Sequence, residues 1–150
     1  MRFVPILLLA TLVVACAPPK AVEIRTGEAC WRCRRPITNG GLAAEVVATD
    51  GTGLASKFRT IHCMATWIAQ QDDASGGIFY VKNYATNKWI RAEEAIYVRT
   101  VVNARTNDRD YMAFATAQEA TPDLVGPKAD APVGWQAVLA MGREHPMGGD

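Results

Sequence analysis

The sequence predicts an α+β fold with two small ββαβ-like halves, each a mainly antiparallel sheet packed with a short helix. Short segments with alternating or β-branched apolar residues follow one another across turn-forming residues, which is typical of antiparallel hairpins. A helical pattern then stands between strands, giving the order β-β-α-β once in full and once in reduced form. The 150 residues, of which 49% are hydrophobic, are sufficient for one small globular unit or two very small ones.

The first half is expected over residues 30–95 and begins with a hairpin. Leu42–Ala48 and Leu54–Phe58 carry the alternation and β-branched content of strands. The residues between them, 49–53, are Thr-Asp-Gly-Thr-Gly, a composition typical of turns. The two predicted strands are therefore expected to pair in antiparallel orientation.

A helix is predicted directly after this hairpin. Thr60 is a candidate N-cap, and the residues from Ile61 to about Gln71 place apolar side chains on one face. The small residues at 74–77 end the helix, and Ile78–Lys82 reads as the next strand.

The second, reduced half is expected over residues 96–142, followed by a tail at 143–150. Its predicted elements are a strand at Ile96–Val102, a polar loop at Asn103–Asp110, a strand at Tyr111–Ala115, a short helix starting within Thr116–Thr121, a proline-rich loop at Asp123–Pro132 and a helix at Gly134–Met141.

The N-terminus has the pattern of an export signal. A positive residue precedes a short apolar run that is below the roughly 20 residues needed to span a bilayer, so residues 1–15 are predicted to be a signal peptide. The run ends in Val-Val-Ala before Cys16, which resembles a bacterial lipobox. This resemblance implies a lipid anchor on Cys16, and Ala17 after it favours the outer membrane. Residues 16–29 are then the lipidated N-terminus and a tether in the periplasm, which attaches the protein to a lipid membrane.

Composition excludes several functions. Lys and Arg number 16 against 15 Asp and Glu, so the chain lacks the positive charge of a typical nucleic-acid-binding protein. The sequence contains no Ser/His/Asp arrangement, glycine-rich phosphate loop or paired-carboxylate signature. It therefore predicts a protein that is not an enzyme.

The candidate site is a group of sulfur and imidazole side chains. Cys30 and Cys33 form a CxxC pair, whose two-residue gap lets both sulfurs approach one point, and a second cluster, His62, Cys63 and Met64, starts the predicted helix. Soft thiolate and thioether ligands favour Cu(I), whereas mixed sulfur and nitrogen ligands also suit Zn(II).

Several uses of these residues remain open. A c-type haem would need His after Cys33, where Arg34 stands, and a thioredoxin-like motif would precede a helix rather than a hairpin. A Zn(II) site of three cysteines and His62 is awkward because adjacent helical residues point about 100° apart. A Cys30–Cys33 disulfide would leave an odd thiol at Cys63, which mildly favours a bound metal in an oxidising compartment.

Taken in order, these segments resemble the NosL-type copper-binding lipoproteins. The matching stretches are the lipobox ending at Cys16, Cys30–Cys33, 43–46, Phe58–Trp67, Trp89–Val98, 113–115, 119–120 and 134–139. The resemblance implies two ββαβ halves, Cu(I) binding, and delivery of copper to an extracytoplasmic enzyme, typically nitrous-oxide reductase.

The chain departs from that family beside its CxxC pair. The family continues Cys-x-x-Cys-Gly-Met, whereas Arg34 and Arg35 follow Cys33 here, so one thioether ligand is absent. The family's Met-Gly before the second-half strand is also missing. Copper would then bind Cys30 and Cys33 with a third ligand from Cys63, His62 or Met64.

The expected function is that of a lipid-anchored extracytoplasmic metallochaperone-like protein that binds Cu(I) and delivers it to a membrane or periplasmic enzyme. Zn(II) is the less favoured ion. The alternative is a metal-free accessory or structural lipoprotein subunit of a membrane complex, such as a respiratory one. In both cases the partner is a protein client or complex beside the membrane, and not a nucleic acid.

Overall fold

The structure is a computed structural model and describes residues 17–38, 40–72 and 76–144. The predicted signal peptide at 1–15, the lipidation site Cys16 and residues 145–150 of the predicted tail lie outside the described residues. Among the described residues, every helix is too short or too polar to cross a bilayer.

The first sheet has four antiparallel strands in the order β2-β1-β3-β4. The strands are β1 (Ala44–Ala48), β2 (Ala55–Phe58), β3 (Gly77–Lys82) and β4 (Trp89–Arg91), with helix α1 (Ile61–Ala69) between β2 and β3. The predicted hairpin is therefore confirmed, since β1 pairs with β2. The predicted order β-β-α-β of the first half is also present.

The second sheet is an antiparallel pair, β5 (Ile96–Asn103) and β6 (Asp108–Phe114). Two helices follow, α2 (Pro122–Val125) and α3 (Trp135–Glu144). Three short 3₁₀ helices complete the described chain, at Gly40–Leu42, Ala92–Glu94 and Ala117–Glu119. The α+β class is confirmed, and the second half keeps its two strands before it continues into helices.

A core joins the two halves. Ala44, Phe58 and Val81 lie opposite one another in the register of the first sheet and are fully buried on one face. Helices α1 and α3 pack against each other and belong to the same core. A methyl group added to Gly142 of α3 would lie 2.7 Å from the carbonyl of Ala65 in α1, so these helices approach closely because position 142 is glycine.

The opposite face of the first sheet is covered by the chain that precedes the CxxC pair. We call residues 19–28 the N-terminal strap. The Tyr80 hydroxyl donates a hydrogen bond of 2.7 Å to the Pro19 carbonyl, and the Val22 amide donates one of 2.6 Å to Oε1 of Glu45. The sequence predicts a tether here, but the strap is hydrogen-bonded to the sheet from Pro19 onward.

Two lysines of the sheet also fasten the strap. Lys82 forms a salt bridge of 2.9 Å with Glu23, and Lys57 forms one of 2.8 Å with Glu28. The Lys57 ammonium also donates a hydrogen bond of 2.6 Å to the Glu23 carbonyl. Both lysine side chains are largely buried, and each is paired, as buried charges generally are.

Several local predictions need correction. The prediction of a loop at Asn103–Asp110 is wrong at its C-terminal end, because β6 already begins at Asp108 and pairs with β5. Strand β4 was not predicted. The loop predicted at Asp123–Pro132 contains most of α2, whose first residue is a proline, a residue that is favoured at the start of a helix. Helix α3 continues past Met141 to Glu144, into the predicted tail.

Candidate metal centre

Cys30 and Cys33 lie in a tight turn, residues 28–37, which we call the thiol turn. The Cys30 amide donates a hydrogen bond of 2.9 Å to the Arg35 carbonyl, and the Arg34 amide donates one of 3.0 Å to the Cys30 carbonyl. These bonds close the backbone around the two-residue gap. As a result both cysteines sit on the same short, ordered stretch of chain.

The residue after Cys33 has a left-handed backbone. Arg34 has a φ of 60°, a conformation that costs a residue with a side chain about 1 kcal/mol and that glycine adopts freely. The turn therefore holds an arginine in a backbone conformation that suits glycine better.

The thiol turn is attached to the edge of the first sheet. Strand β2 is an edge strand, and its Lys57 carbonyl accepts a hydrogen bond of 2.7 Å from the Trp31 amide. The side chain of the same lysine forms the salt bridge with Glu28 at the start of the turn. Lys57 thus fixes the turn through both its backbone and its side chain.

Cys63 reaches the same place from helix α1, which starts shortly after the end of β2. Thr60 is the N-cap, as predicted, and its hydroxyl accepts a hydrogen bond of 3.2 Å from the Cys63 amide. Cys63 therefore lies in the first turn of the helix, on its buried side.

The three sulfurs converge. The Sγ atoms of Cys30, Cys33 and Cys63 all lie within 4.8 Å of one another, and none of the three cysteines forms a disulfide. Cys30 and Cys63 are buried, whereas Cys33 is partly exposed. A metal–thiolate bond is about 2.3 Å long, so two sulfurs on one ion are at most about 4.6 Å apart. These three cysteines can therefore hold a metal ion with little movement.

The two buried thiols shift each other's pKa in opposite directions. The Cys63 thiol donates a hydrogen bond to Cys30, which lowers the pKa of Cys30, and the backbone amides of Cys33 and Arg59 also stabilise its thiolate. The same hydrogen bond, together with burial, raises the pKa of Cys63. A metal ion that binds both sulfurs displaces the proton of the Cys63 thiol, because metals bind the thiolate form.

Of the predicted ligands, His62 lies apart from this group. Among the described residues, the group of His, Cys, Asp and Glu side chains close enough to share an ion contains the three cysteines and not His62. The His62 amide donates a hydrogen bond of 3.2 Å to Asp110. Met64 is fully buried in the main core, which also contains Cys30 and Cys63. His62 and Cys63 thus point in different directions, as the 100° step between neighbouring helical positions requires.

Sequence reasoning missed the contribution of Asp110. The sequence predicts a polar loop at this residue, but it is buried in β6, and its carboxylate accepts hydrogen bonds from the amides of His62 and Tyr111. Burial raises its pKa. It is 48 positions from His62, so no local pattern could have indicated that it supports the start of α1.

Comparison of the chain with known protein families, curated proteins and solved structures gives no significant match. The chemistry of the three-cysteine group is therefore the basis for assigning a function.

Proposed function

We propose that the protein is a lipid-anchored extracytoplasmic Cu(I) carrier, a metallochaperone that delivers copper to a membrane or periplasmic enzyme. The single observation that carries the proposal is the convergence of Cys30, Cys33 and Cys63. On this proposal the protein transfers an ion and catalyses no reaction.

The donor set favours Cu(I) over Zn(II). Thiolates are soft ligands that select Cu(I), whereas structural Zn(II) almost always takes four protein ligands. Among the described residues, the group offers three sulfurs and no nitrogen or carboxylate oxygen as a fourth ligand. Zn(II) would have to complete its coordination with water or with a ligand from a partner.

The uneven burial of the sulfurs supports transfer rather than storage. Cys30 and Cys63 are buried, but Cys33 is partly exposed at the thiol turn. An incoming thiolate or thioether of a partner can approach the ion from the side of Cys33. The partner's sulfur can then bind before the buried sulfurs release the ion.

The proposed location rests on the N-terminal sequence. The apolar run and the lipobox-like residues before Cys16 support export and lipidation. We therefore place the protein on the periplasmic side of a bacterial envelope membrane, with the outer membrane favoured.

A competition titration tests the proposal. The full chain carrying Cys16→Ser is reduced, and Cu(I) is titrated against a colorimetric Cu(I) chelator. We expect one Cu(I) per chain, and we expect Cys30→Ser, Cys33→Ser and Cys63→Ser each to weaken binding by about 100-fold or more, because each removes a ligand.

Two variants serve as matched controls. His62→Ala removes the neighbouring imidazole, and Met64→Leu replaces the thioether at nearly constant volume. Both are expected to bind Cu(I) within about twofold of the unsubstituted chain. If the chain cannot compete with even a weak chelator, the carrier proposal is wrong and a metal-free accessory lipoprotein is favoured. If Zn(II) displaces Cu(I), the choice of metal is wrong.

A further inference from the structure

The chain around the cysteines is rich in basic residues, and the one acidic residue of the thiol turn, Glu28, is paired with Lys57. Residues 29–44 include Arg32, Arg34 and Arg35 without any Asp or Glu. Residues 51–71 include Lys57 and Arg59, again without an acidic residue. The whole chain has 16 basic and 15 acidic residues, so this separation is local and does not reflect an overall positive charge.

One of these arginines lies against an exposed aromatic ring. Trp31 is 50% exposed, and the guanidinium carbon of Arg34 lies 5.2 Å from the centre of its ring. Arg34 and Arg35 are exposed and Arg32 is partly so. Lys57 is buried and its charge is paired, so it does not contribute. We call Trp31, Arg34 and Arg35 the basic–aromatic patch.

The patch is held in place by the same hydrogen bonds that shape the thiol turn. The Trp31 amide is bonded to the Lys57 carbonyl, and the Arg34 amide is bonded to the Cys30 carbonyl. The backbone of the patch is therefore ordered before a partner arrives, which reduces the entropy lost on association. Tryptophan and arginine are also the residues most enriched among those that dominate binding energy at protein interfaces.

We propose that the basic–aromatic patch is a docking surface for an acidic protein surface that carries the sulfur ligands accepting the copper ion. This inference rests on the proposed function and names the kind of partner that it requires. Trp31 is adjacent in sequence to Cys30, and Arg34 is adjacent to Cys33. Whatever docks on the patch is therefore brought directly to the partly exposed sulfur.

A protein fits this surface better than a lipid membrane or a nucleic acid does. Only a ligand with its own thiolate or thioether groups can take Cu(I) from the exposed side of the site. Long-range attraction between opposite charges raises the association rate and weakens with salt. The patch therefore increases the rate at which acidic acceptors reach the site and lowers it for basic ones.

The test measures copper transfer to two model acceptors. Both are synthetic peptides of equal length with a Cys-x-x-Cys segment, one rich in glutamate and the other rich in lysine. We expect the copper-loaded full chain carrying Cys16→Ser to transfer Cu(I) about tenfold or more faster to the acidic peptide at low salt. The difference shrinks as ionic strength rises to about 0.2 M.

Charge reversal of the patch should remove the preference. Arg34→Glu together with Arg35→Glu is expected to slow transfer to the acidic peptide by about tenfold and to speed transfer to the basic one. The matched control is Arg105→Glu with Lys128→Glu. It makes the same change of charge at two exposed positions, one in the loop between β5 and β6 and one in the loop after α2. The control is expected to keep the preference. Equal rates for both peptides with the copper-loaded chain overturn the docking proposal.

A copper-free measurement separates this proposal from the proposed function. The acidic peptide with serines in place of its cysteines is titrated into the reduced apo-protein, and tryptophan fluorescence is recorded with Trp31→Phe as the reference. If the peptide docks but the chain binds no Cu(I) in the competition titration, the docking surface is supported and the carrier function is overturned. If the chain binds Cu(I) but the peptide does not dock, the carrier function is supported and the docking surface is overturned. Binding to anionic phosphatidylglycerol vesicles but not to the peptide overturns the proposal in favour of a lipid surface.

Discussion

The buried carboxyl group of Glu45 makes the stability of the fold dependent on pH. Its side chain is fully buried under the N-terminal strap. There Oε1 accepts a hydrogen bond from the Val22 amide, whereas Oε2 has no hydrogen-bond partner among the described residues. The nearby ammonium groups of Lys57 and Lys82 are bonded to other carboxylates. Burial is the main cause that raises the pKa of Glu45 from 4.5 to about 7.

The magnitude follows from the difference between the folded and unfolded states. A rise in pKa from 4.5 to about 7 corresponds to about 3 kcal/mol, since each unit is worth about 1.4 kcal/mol. The folded protein holds this proton more tightly than the unfolded chain does. The stabilisation is therefore complete below the unfolded pKa and is lost as the pH rises through the folded pKa of Glu45, about 7.

The assay compares the chain with Glu45→Gln, which cannot ionise. Urea unfolding of both reduced proteins is followed by tryptophan fluorescence from about pH 5 to about pH 8. We expect the free energy of unfolding of the unsubstituted protein, relative to that of Glu45→Gln, to fall by up to about 3 kcal/mol over this range. Glu144→Gln, at the exposed end of α3, controls for the loss of one negative charge. If the free energy of unfolding changes with pH by the same amount in the unsubstituted protein and in Glu45→Gln, this reasoning is refuted.

Substitutions at three further positions test the backbone conformation, helix packing and helix capping described above. Arg34→Gly should raise the free energy of unfolding by about 0.5–1 kcal/mol, because glycine suits the left-handed backbone; a loss of stability in thermal melts would contradict this. Gly142→Ala should lower it by about 1–3 kcal/mol, since the added methyl group meets the Ala65 carbonyl; an unchanged urea midpoint would show that the helices separate at no cost. Thr60→Ala should cost about 1 kcal/mol by removing the cap on the Cys63 amide, and Thr60→Ser should restore most of that; equal effects of both would exclude capping as the cause.

The elements that follow from local patterns were predictable. The hairpin could be predicted because its strands alternate and its turn is rich in glycine. The start of α1 could be predicted because Thr60 precedes an apolar helical face. Strand β4 is only Trp89–Arg91, too short to show alternation. The first residues of β6, including Arg109, are polar but pair with β5, so tertiary pairing decides their conformation.

The candidate site could be predicted in part. The spacing of Cys30 and Cys33 already indicated that their sulfurs approach one point. The choice among Cys63, His62 and Met64 depends on which side of α1 faces the thiol turn. That orientation follows from the packing of the whole core, which no short pattern contains.

The attachment of the N-terminal strap would also limit how far a lipid-anchored form of the protein extends from a membrane. Pro19 is already bonded to Tyr80 in the first sheet. If Cys16 carries the proposed lipid, the residues from there to Pro19 span at most about 10 Å, given about 3.5 Å per extended residue. The sheet would then rest almost against the bilayer, and only acceptors that are themselves bound to that membrane, or that approach its surface, could collect the ion.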